Sequence, residues 1–449
     1  MTLHLPSQLL TLNRIRNEQL PHLDSLRHTG RIRKLVGLTL ESHGPQASIG
    51  DLVELRSLNE SSNALAEVVG FRDNRVLLMP LDGLHGIRAG DEVYPLNEGF
   101  RIPIGPAMLG RILDGLARPI DDQPPPPAEA YWPVHRPAPN ALQRRRVTDF
   151  FHTGVRSIDT SLTCGYGQRM GIFAGSGVGK STLLGMICRH SSADINVIAL
   201  IGERGKEVRD FIEDSLGPEG LAKSVVIVVT SDRPPLQRVR GAEVAMAIAE
   251  YFRDQQKNVL LVMDSVTRYA MAQREIGLAI GEPPTTKGYP PSVFGLLPAL
   301  LERAGNNERG SITAFITVLV EGDDLNDPIA DTVRGILDGH IVLSRKLANT
   351  GIYPPIDILA SLSRVTNQVC TPEHLETARQ IRNILATYAK SEDLINIGAY
   401  EHGSNPAVDE AIEKYPLLVE LFRQRLEEFT PWPETMARVQ AILSTQHNT

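Results

Sequence analysis

The spacing of hydrophobic positions changes character along this chain of 449 residues. Between Gly30 and Leu96 apolar residues come in short alternating runs, RIRKLVGLTLES, DLVELRSL, ALAEVVGF, RVLLMPL and DEVYPL, cut by Gly-Asp and Asp-Asn pairs. Alternation of period two between turn residues predicts half-buried strands, and this many strands in so short a span predict a small all-β unit over 28–96, most simply a barrel. From about Phe150 to Val369 the runs are continuous: Met170–Phe173, Val197–Ile201, Val225–Val229, Val259–Met263 and Ile312–Val320, alternating with helical patterns. Continuous apolar strands between helices predict a mainly parallel sheet buried on both faces, over residues 150–369. After Cys370 the period becomes helical. Leu375, Ala378, Ile381, Leu385 and Tyr388 mark one face and Val408, Ile412, Tyr415, Leu418 and Phe422 another, so 370–449 reads as a small α-helical domain.

Two stretches stand outside these patterns. Residues 1–27 carry leucines at loose helical spacing, broken by Pro21, and read as an arm that docks on a partner or membrane surface or simply frays. Residues 97–149 contain the run Pro124–Pro127 and are expected to be a stiff linker. Just beyond the prolines, Arg144-Arg145-Arg146 reads as a solvated or phosphate-adjacent loop. The length calls for two or three domains, and 42% hydrophobic with 22% charged residues is a soluble globular composition. A formal charge of −7 argues against a nucleic-acid-coating surface. The cysteines, Cys164, Cys188 and Cys370, are far apart and lack metal-ligand spacing, as expected of reduced thiols in a cytoplasmic protein. No apolar stretch is long enough to span a bilayer, so membrane association is expected to be peripheral.

The chemistry begins at RMGIFAGSGVGKSTLL, residues 169–184. A short apolar run leads into Ala174-Gly175-Ser176-Gly177-Val178-Gly179, and Lys180-Ser181-Thr182 opens a helical pattern. Glycines let such a turn offer successive backbone N–H groups to phosphate oxygens, and the helix N-terminus adds its positive end. Lys180 would reach the β- and γ-phosphates, and Ser181 would ligate Mg²⁺. Ala174 stands where the strict motif has glycine, a tolerated small-residue variant. Two further strands end in carboxylates. Val259–Met263 leads to Asp264, which in a parallel sheet faces the phosphate loop and can hold the Mg²⁺ shell; a bare helix cap is the alternative, and the loop upstream favours the metal. Ile198–Ile201 leads through Gly202 to Glu203 and Arg204, where a glutamate can orient an attacking water or, equally, form a surface pair with the arginine.

The phosphate loop, Gly202-Glu203-Arg204 and the segment Tyr353 to Arg364, YPPIDILASLSR, together resemble the rotary ATPase superfamily. Further blocks, TGVRSIDTSLTCGYGQRMG, YAMAQREIGLAIGEPP, KGYPPSVF, VLVEGDD, ILDGHIVLSR and LINIGAYEHGSNP, look like its type III protein export branch, and the likeness runs over about residues 28–415. The resemblance implies an α/β fold: a RecA-like P-loop core with an N-terminal β-barrel and a C-terminal α-helical domain. It implies an ATP- and Mg²⁺-dependent homohexameric ring at the inner membrane export apparatus, meeting stalk and regulator proteins and chaperone–substrate complexes. Glu203, with Arg204 beside it, matches the catalytic glutamate block. Arg364 matches the arginine finger that reaches a neighbour's γ-phosphate, and Tyr353 matches the aromatic that stacks on adenine. Because one chain carries both glutamate and finger, one gene product could build the whole ring.

AGSGVGKSTLLGM and YAMAQREIGLAIGEPPTTKGYPPSVF look more flagellar, whereas LNDPIADTVRGILDGH also suits a virulence injectisome. A non-catalytic ring subunit would lack an acid at Glu203. A hexameric RNA translocase would need an aromatic-plus-basic stripe in residues 28–96, which the acidic total and the composition there do not offer.

Overall fold

The computed structural model describes residues 28–57, 63–96, 99–320, 322 and 327–444. The arm 1–27 and residues Glu321, Asp323 and Asp324 of VLVEGDD lie outside the described residues. The chain divides into two compact units at Gly99/Phe100. In the first, β1 (Gly30–Val36), β2 (Thr39–His43), β3 (Leu52–Arg56), β4 (Asn63–Arg72), β5 (Arg75–Pro80) and β6 (Glu92–Pro95) close a barrel in the order β1-β2-β5-β4-β3-β6. Alternation works as expected: Ile32, Val53, Leu55, Val68, Leu78 and Val93 point inward as its core. The β4–β5 hairpin turns through Asp73 and Asn74, at φ 46° and 62°, residue types that tolerate the left-handed pair a tight hairpin demands.

The second unit opens with β7 (Arg101–Ile104), β8 (Ile112–Asp114), β9 (Ala130–Pro133), β10 (Phe150–Phe151) and β11 (Cys164–Gly165). Its main strands are β12 (Arg169–Ala174), β13 (Ile195–Ile201), β14 (Ser224–Val229), β15 (Asn258–Asp264), β16 (Ser311–Leu319), β17 (Gly339–Leu343) and β18 (Ile356–Ser363). These form an eight-stranded sheet, β18-β17-β12-β16-β15-β13-β14-β8. Every pairing is parallel except β17 with β18. The five predicted apolar runs are β12 to β16, and nearly every residue in them is buried, as a sheet covered on both faces requires. Helices Pro372–Asn396 and Pro406–Phe422 follow, joined by Trp432–Ser444. No described helix is long and apolar enough to cross a membrane.

One expectation needs correction and another is narrowed. From Phe100 on, the stretch read as a linker is built into the second unit, because β8 extends the sheet beside β14, with Leu113 opposite Ile227. A three-residue strand leaves no periodic signal; what fixes it is Arg111, which donates to Asp121 at 2.7 and 2.9 Å and ties back the proline run through the Pro124 carbonyl at 2.9 Å. Of the two readings of the three arginines, the structure gives the solvated one: Arg145 and Arg146 are exposed, and the stretch does not lie beside the phosphate loop. Arg144 and Arg145 donate to the carbonyls of Ala304 and Asn307, both at 2.8 Å, ahead of β16 and thus at the opposite sheet edge.

The Arg111 guanidinium holds the Asp121 carboxyl down at about 2, against the cost of burial. Removing one member of such a pair strands the other, so Asp121→Ala should cost about 3 kcal/mol of second-unit stability in urea denaturation. A loss below about 0.5 kcal/mol would mean the pair acts like an exposed one and does not anchor the segment.

Candidate functional site

The site is built where parallel strands end together. β12 is buried up to Ala174 and releases the chain into Gly175–Gly179. Gly179 takes φ 92°, a left-handed turn that favours glycine, and the helix Lys180–His190 starts at once. Ser176 and Gly177 are exposed, whereas the Val178 side chain enters the core and leaves only its backbone to meet a ligand. Gly175, Ser176, Gly177, Gly179, Lys180, Ser181 and Thr182 line a cleft of about 920 Å³. Glu203, Arg204 and Asp264 line it too.

Register brings the carboxylates to this edge. Leu200 of β13 lies opposite Asp264 of β15, and Met263 opposite Ile316 of β16. Past β13, Gly202 turns the chain at φ 73°, where a Cβ would come within 2.8 Å of the Arg268 Cβ. Glu203 follows, 8% exposed, and Asp264 is 3% exposed. Between them stands the Lys180 ammonium, 2.5 Å from Asp264 Oδ1 and 3.6 Å from Glu203 Oε1. The Thr317 hydroxyl donates to the same Asp264 oxygen at 2.7 Å. Burial pushes the Glu203 carboxyl up to about 7, with Lys180 pulling down and Asp264 pushing further up. Burial works against the charge on Lys180, yet the attraction of Asp264 and Glu203 raises it above the usual lysine value. Glu203 Oε1 is buried and accepts no hydrogen bond from the described residues.

The remaining predicted residues are spread out. Arg204 reaches the cleft mouth, but its side chain is 80% exposed and paired with Glu207 at 3.6 Å. Tyr353 packs by the loop: a side chain at Gly179 would stand 3.6 Å from its ring. It is 47% exposed and lines a second cavity, about 1060 Å³, with Thr182, Leu421, Gln424 and Arg425. Arg364 is elsewhere. β18 runs against its neighbour, starting at Ile356 opposite Leu343 and ending at Ser363 opposite Gly339. Because β18 bulges between Asp357 and Leu362, its eight residues pair with only five of β17 and carry Arg364 about 15 Å toward the other edge, where it is exposed. The structure therefore brings Lys180, Ser181, Glu203 and Asp264 together, sets Tyr353 beside them and holds Arg364 apart. Sequence reasoning missed Thr317, signalled only by a hydroxyl inside the run Ile312–Val320. It also missed Arg345, which donates to the Ser176 carbonyl at 3.2 Å.

Residues 154–363 match the ATP synthase alpha/beta family nucleotide-binding domain, 32–97 that family's beta-barrel domain, and 370–441 the T3SS EscN ATPase C-terminal domain. The chain is 52% identical over 424 residues to the flagellum-specific ATP synthase of Bacillus subtilis, covering 94% of this chain and 97% of that one. It is 49% identical over 416 residues to the type 3 secretion system ATPase of Xanthomonas euvesicatoria, covering 93% and 94%. Among solved structures, the assembled ATPase EscN of the enteropathogenic E. coli type III secretion system is similar with a TM-score of 0.87 and 47% identity, over 92% of this chain and 100% of that one. EscN in complex with its central stalk EscO gives 0.86 and 46%, with the same coverage.

The raised Glu203 carboxyl makes a prediction for the nucleotide-free protein. Between 4.5 and about 7 the folded state keeps a proton that the unfolded chain has released, so stability falls as pH rises through this window. Glutamine has no such proton. Measured by thermal unfolding in EDTA, Glu203→Gln should gain on the parent between about pH 5 and 8, on the order of 1 kcal/mol. A difference between the two proteins that does not change with pH would mean that Glu203 titrates in the fold as it does in the unfolded chain.

Proposed function

This chain belongs to the ATP synthase alpha/beta family and, within it, to the type III export ATPases, and we propose that it works as a homohexameric ring energising export of flagellar components. It is an ATP hydrolase. The observation that carries the proposal is the division of the site: Lys180, Glu203 and Asp264 share one cleft, while Arg364 projects from the far edge of the same sheet. A site whose arginine cannot reach it within one chain is completed by a neighbouring copy.

Bound ATP would draw Lys180 from Asp264 to its β- and γ-phosphates, with the backbone of Gly175–Gly179 cradling them and Ser181 and Thr182 at the helix start. Tyr353 would stack on the adenine. One buried carboxylate, Asp264, and one hydroxyl, Ser181, beside a phosphate loop suit Mg²⁺, which keeps waters and phosphate oxygens in its shell. Magnesium, when bound there, neutralises charge on the phosphate oxygens. The unmet Oε1 of Glu203 is an acceptor suited to hold the attacking water, with Arg204 at the rim. A neighbour's Arg364 would stabilise charge on the transferring phosphoryl group. The solved complex of EscN with its central stalk supports a stalk partner here. Regulator proteins, chaperone–substrate complexes and peripheral contact at the cytoplasmic face of the inner membrane complete the proposal; nucleic acid has no part in it. Flagellum-specific relatives at 52% and a secretion-system relative at 49% favour flagellar export over the injectisome by a small margin.

Two measurements test this. Arg364→Ala and Lys180→Ala proteins, each inactive alone, should regain ATPase activity when co-assembled, because some interfaces then pair an intact Lys180 with an intact Arg364. Loss of one finger costs about 10³ to 10⁵ in rate, so even fractional rescue is measurable. Mixed rings without rescue would end the neighbour-acting role. Deleting the gene in its own bacterium should abolish filaments and swimming; intact flagella with lost effector secretion would move the assignment to the injectisome.

A further inference from the structure

Three strand ends meet at Asp338. Arg169 opens β12, Asp338 immediately precedes β17, and Arg364 immediately follows β18. The Asp338 carboxylate accepts two guanidinium N–H groups of Arg169, both at 3.0 Å, and the Arg169 backbone N–H at 3.1 Å. Its own N–H donates to the Arg169 carbonyl at 2.9 Å. Its carbonyl accepts from Gln168 Nε2 at 3.1 Å and from the Arg364 N–H at 3.0 Å. One residue earlier in β18, the Ser363 hydroxyl donates to the Thr163 carbonyl at 2.7 Å and accepts from Gln168 Nε2 at 3.0 Å. The Arg364 main chain is thus tied to Asp338 through its N–H, just after the anchored Ser363, while its guanidinium hydrogen-bonds only the Arg334 carbonyl, at 3.5 Å, among the described residues.

We propose that Asp338, clamped by Arg169, is a positioning residue for Arg364, setting the point from which the guanidinium leaves the sheet; this rests on the reading of Arg364 as acting on a neighbour's nucleotide. The physical need is plain. A long exposed side chain can meet a transition state in another molecule only if its root does not wander, and misplacement by about 1 Å can cost 10²-fold. A bidentate arginine–carboxylate pair supplies that fixity, and the Arg169 side chain is largely buried. The pair lies at the edge opposite Lys180, so it has no contact with the phosphate cleft of its own chain.

Asp338→Asn keeps the shape and loses the charge of the bidentate partner, leaving Arg169 with only its single ion pair to Glu302, at 2.5 Å. Its rings should turn over about 10- to 100-fold more slowly with KM for ATP unchanged. Complementation then separates positioning from general damage. Co-assembled with Lys180→Ala, Asp338→Asn should recover activity, because its own Lys180 site is intact and receives a well-placed Arg364 from the other copy. Co-assembled with Arg364→Ala it should not, because no copy in that ring presents a well-placed finger. Arg169→Gln should behave as Asp338→Asn does, and Asp338→Glu should restore part of the rate. The reverse pattern, rescue by Arg364→Ala and none by Lys180→Ala, would place the defect in the chain's own nucleotide site and overturn the proposal; so would a full rate in Asp338→Asn rings. If Arg364→Ala and Lys180→Ala fail to rescue each other in demonstrably mixed rings, the neighbour-acting reading itself fails and this proposal goes with it.

Discussion

One ammonium holds the site together. Lys180 sits between the Asp264 and Glu203 carboxylates, and its charge offsets part of the cost that burial places on Glu203. The three come from the ends of β12, β13 and β15, so their meeting depends on the parallel register of those strands with β16 between β12 and β15. A one-residue slip of β15 would carry Asp264 away from Lys180 and turn its side chain to the other face. The apolar continuity of the strands therefore serves the chemistry directly.

Holding Lys180 this way also prepares it. Its charge is matched by acids rather than solvated, so a phosphate bound there would replace one set of anionic partners with another. The Thr317 hydroxyl, which donates to Asp264 at 2.7 Å, gives that carboxylate a second partner that does not depend on the lysine.

Much of this was legible in the residues. The barrel showed in its period-two runs, the sheet in five continuous apolar stretches, and the cleft in the glycines before Lys180 and the acids that end β13 and β15. The rest was hidden for identifiable reasons. β8 is only three residues long and is held by the Arg111–Asp121 pair, which leaves no periodicity. Helix Trp432–Ser444 buries little beyond Thr435 and Val439, too small a stripe to stand out. Arg345 reaches the phosphate loop from a helix of five residues, beyond the range of any local pattern. The roles of Glu203, Tyr353 and Arg364 came from resemblance, since spacing alone does not distinguish a water-orienting acid from a surface one.

The reversal of β18 has a geometric consequence for assembly. Were it parallel like the other strands, both ends of the proposed contact could lie along one edge, and two copies could face each other across a two-fold axis. Because the strand turns back, giver and receiver lie on opposite edges, and any productive contact joins unlike surfaces head to tail. Such contacts never saturate in a pair. They leave an open giver at one end and an open receiver at the other until rotation brings the last copy round to the first, so closure itself removes the final incomplete site.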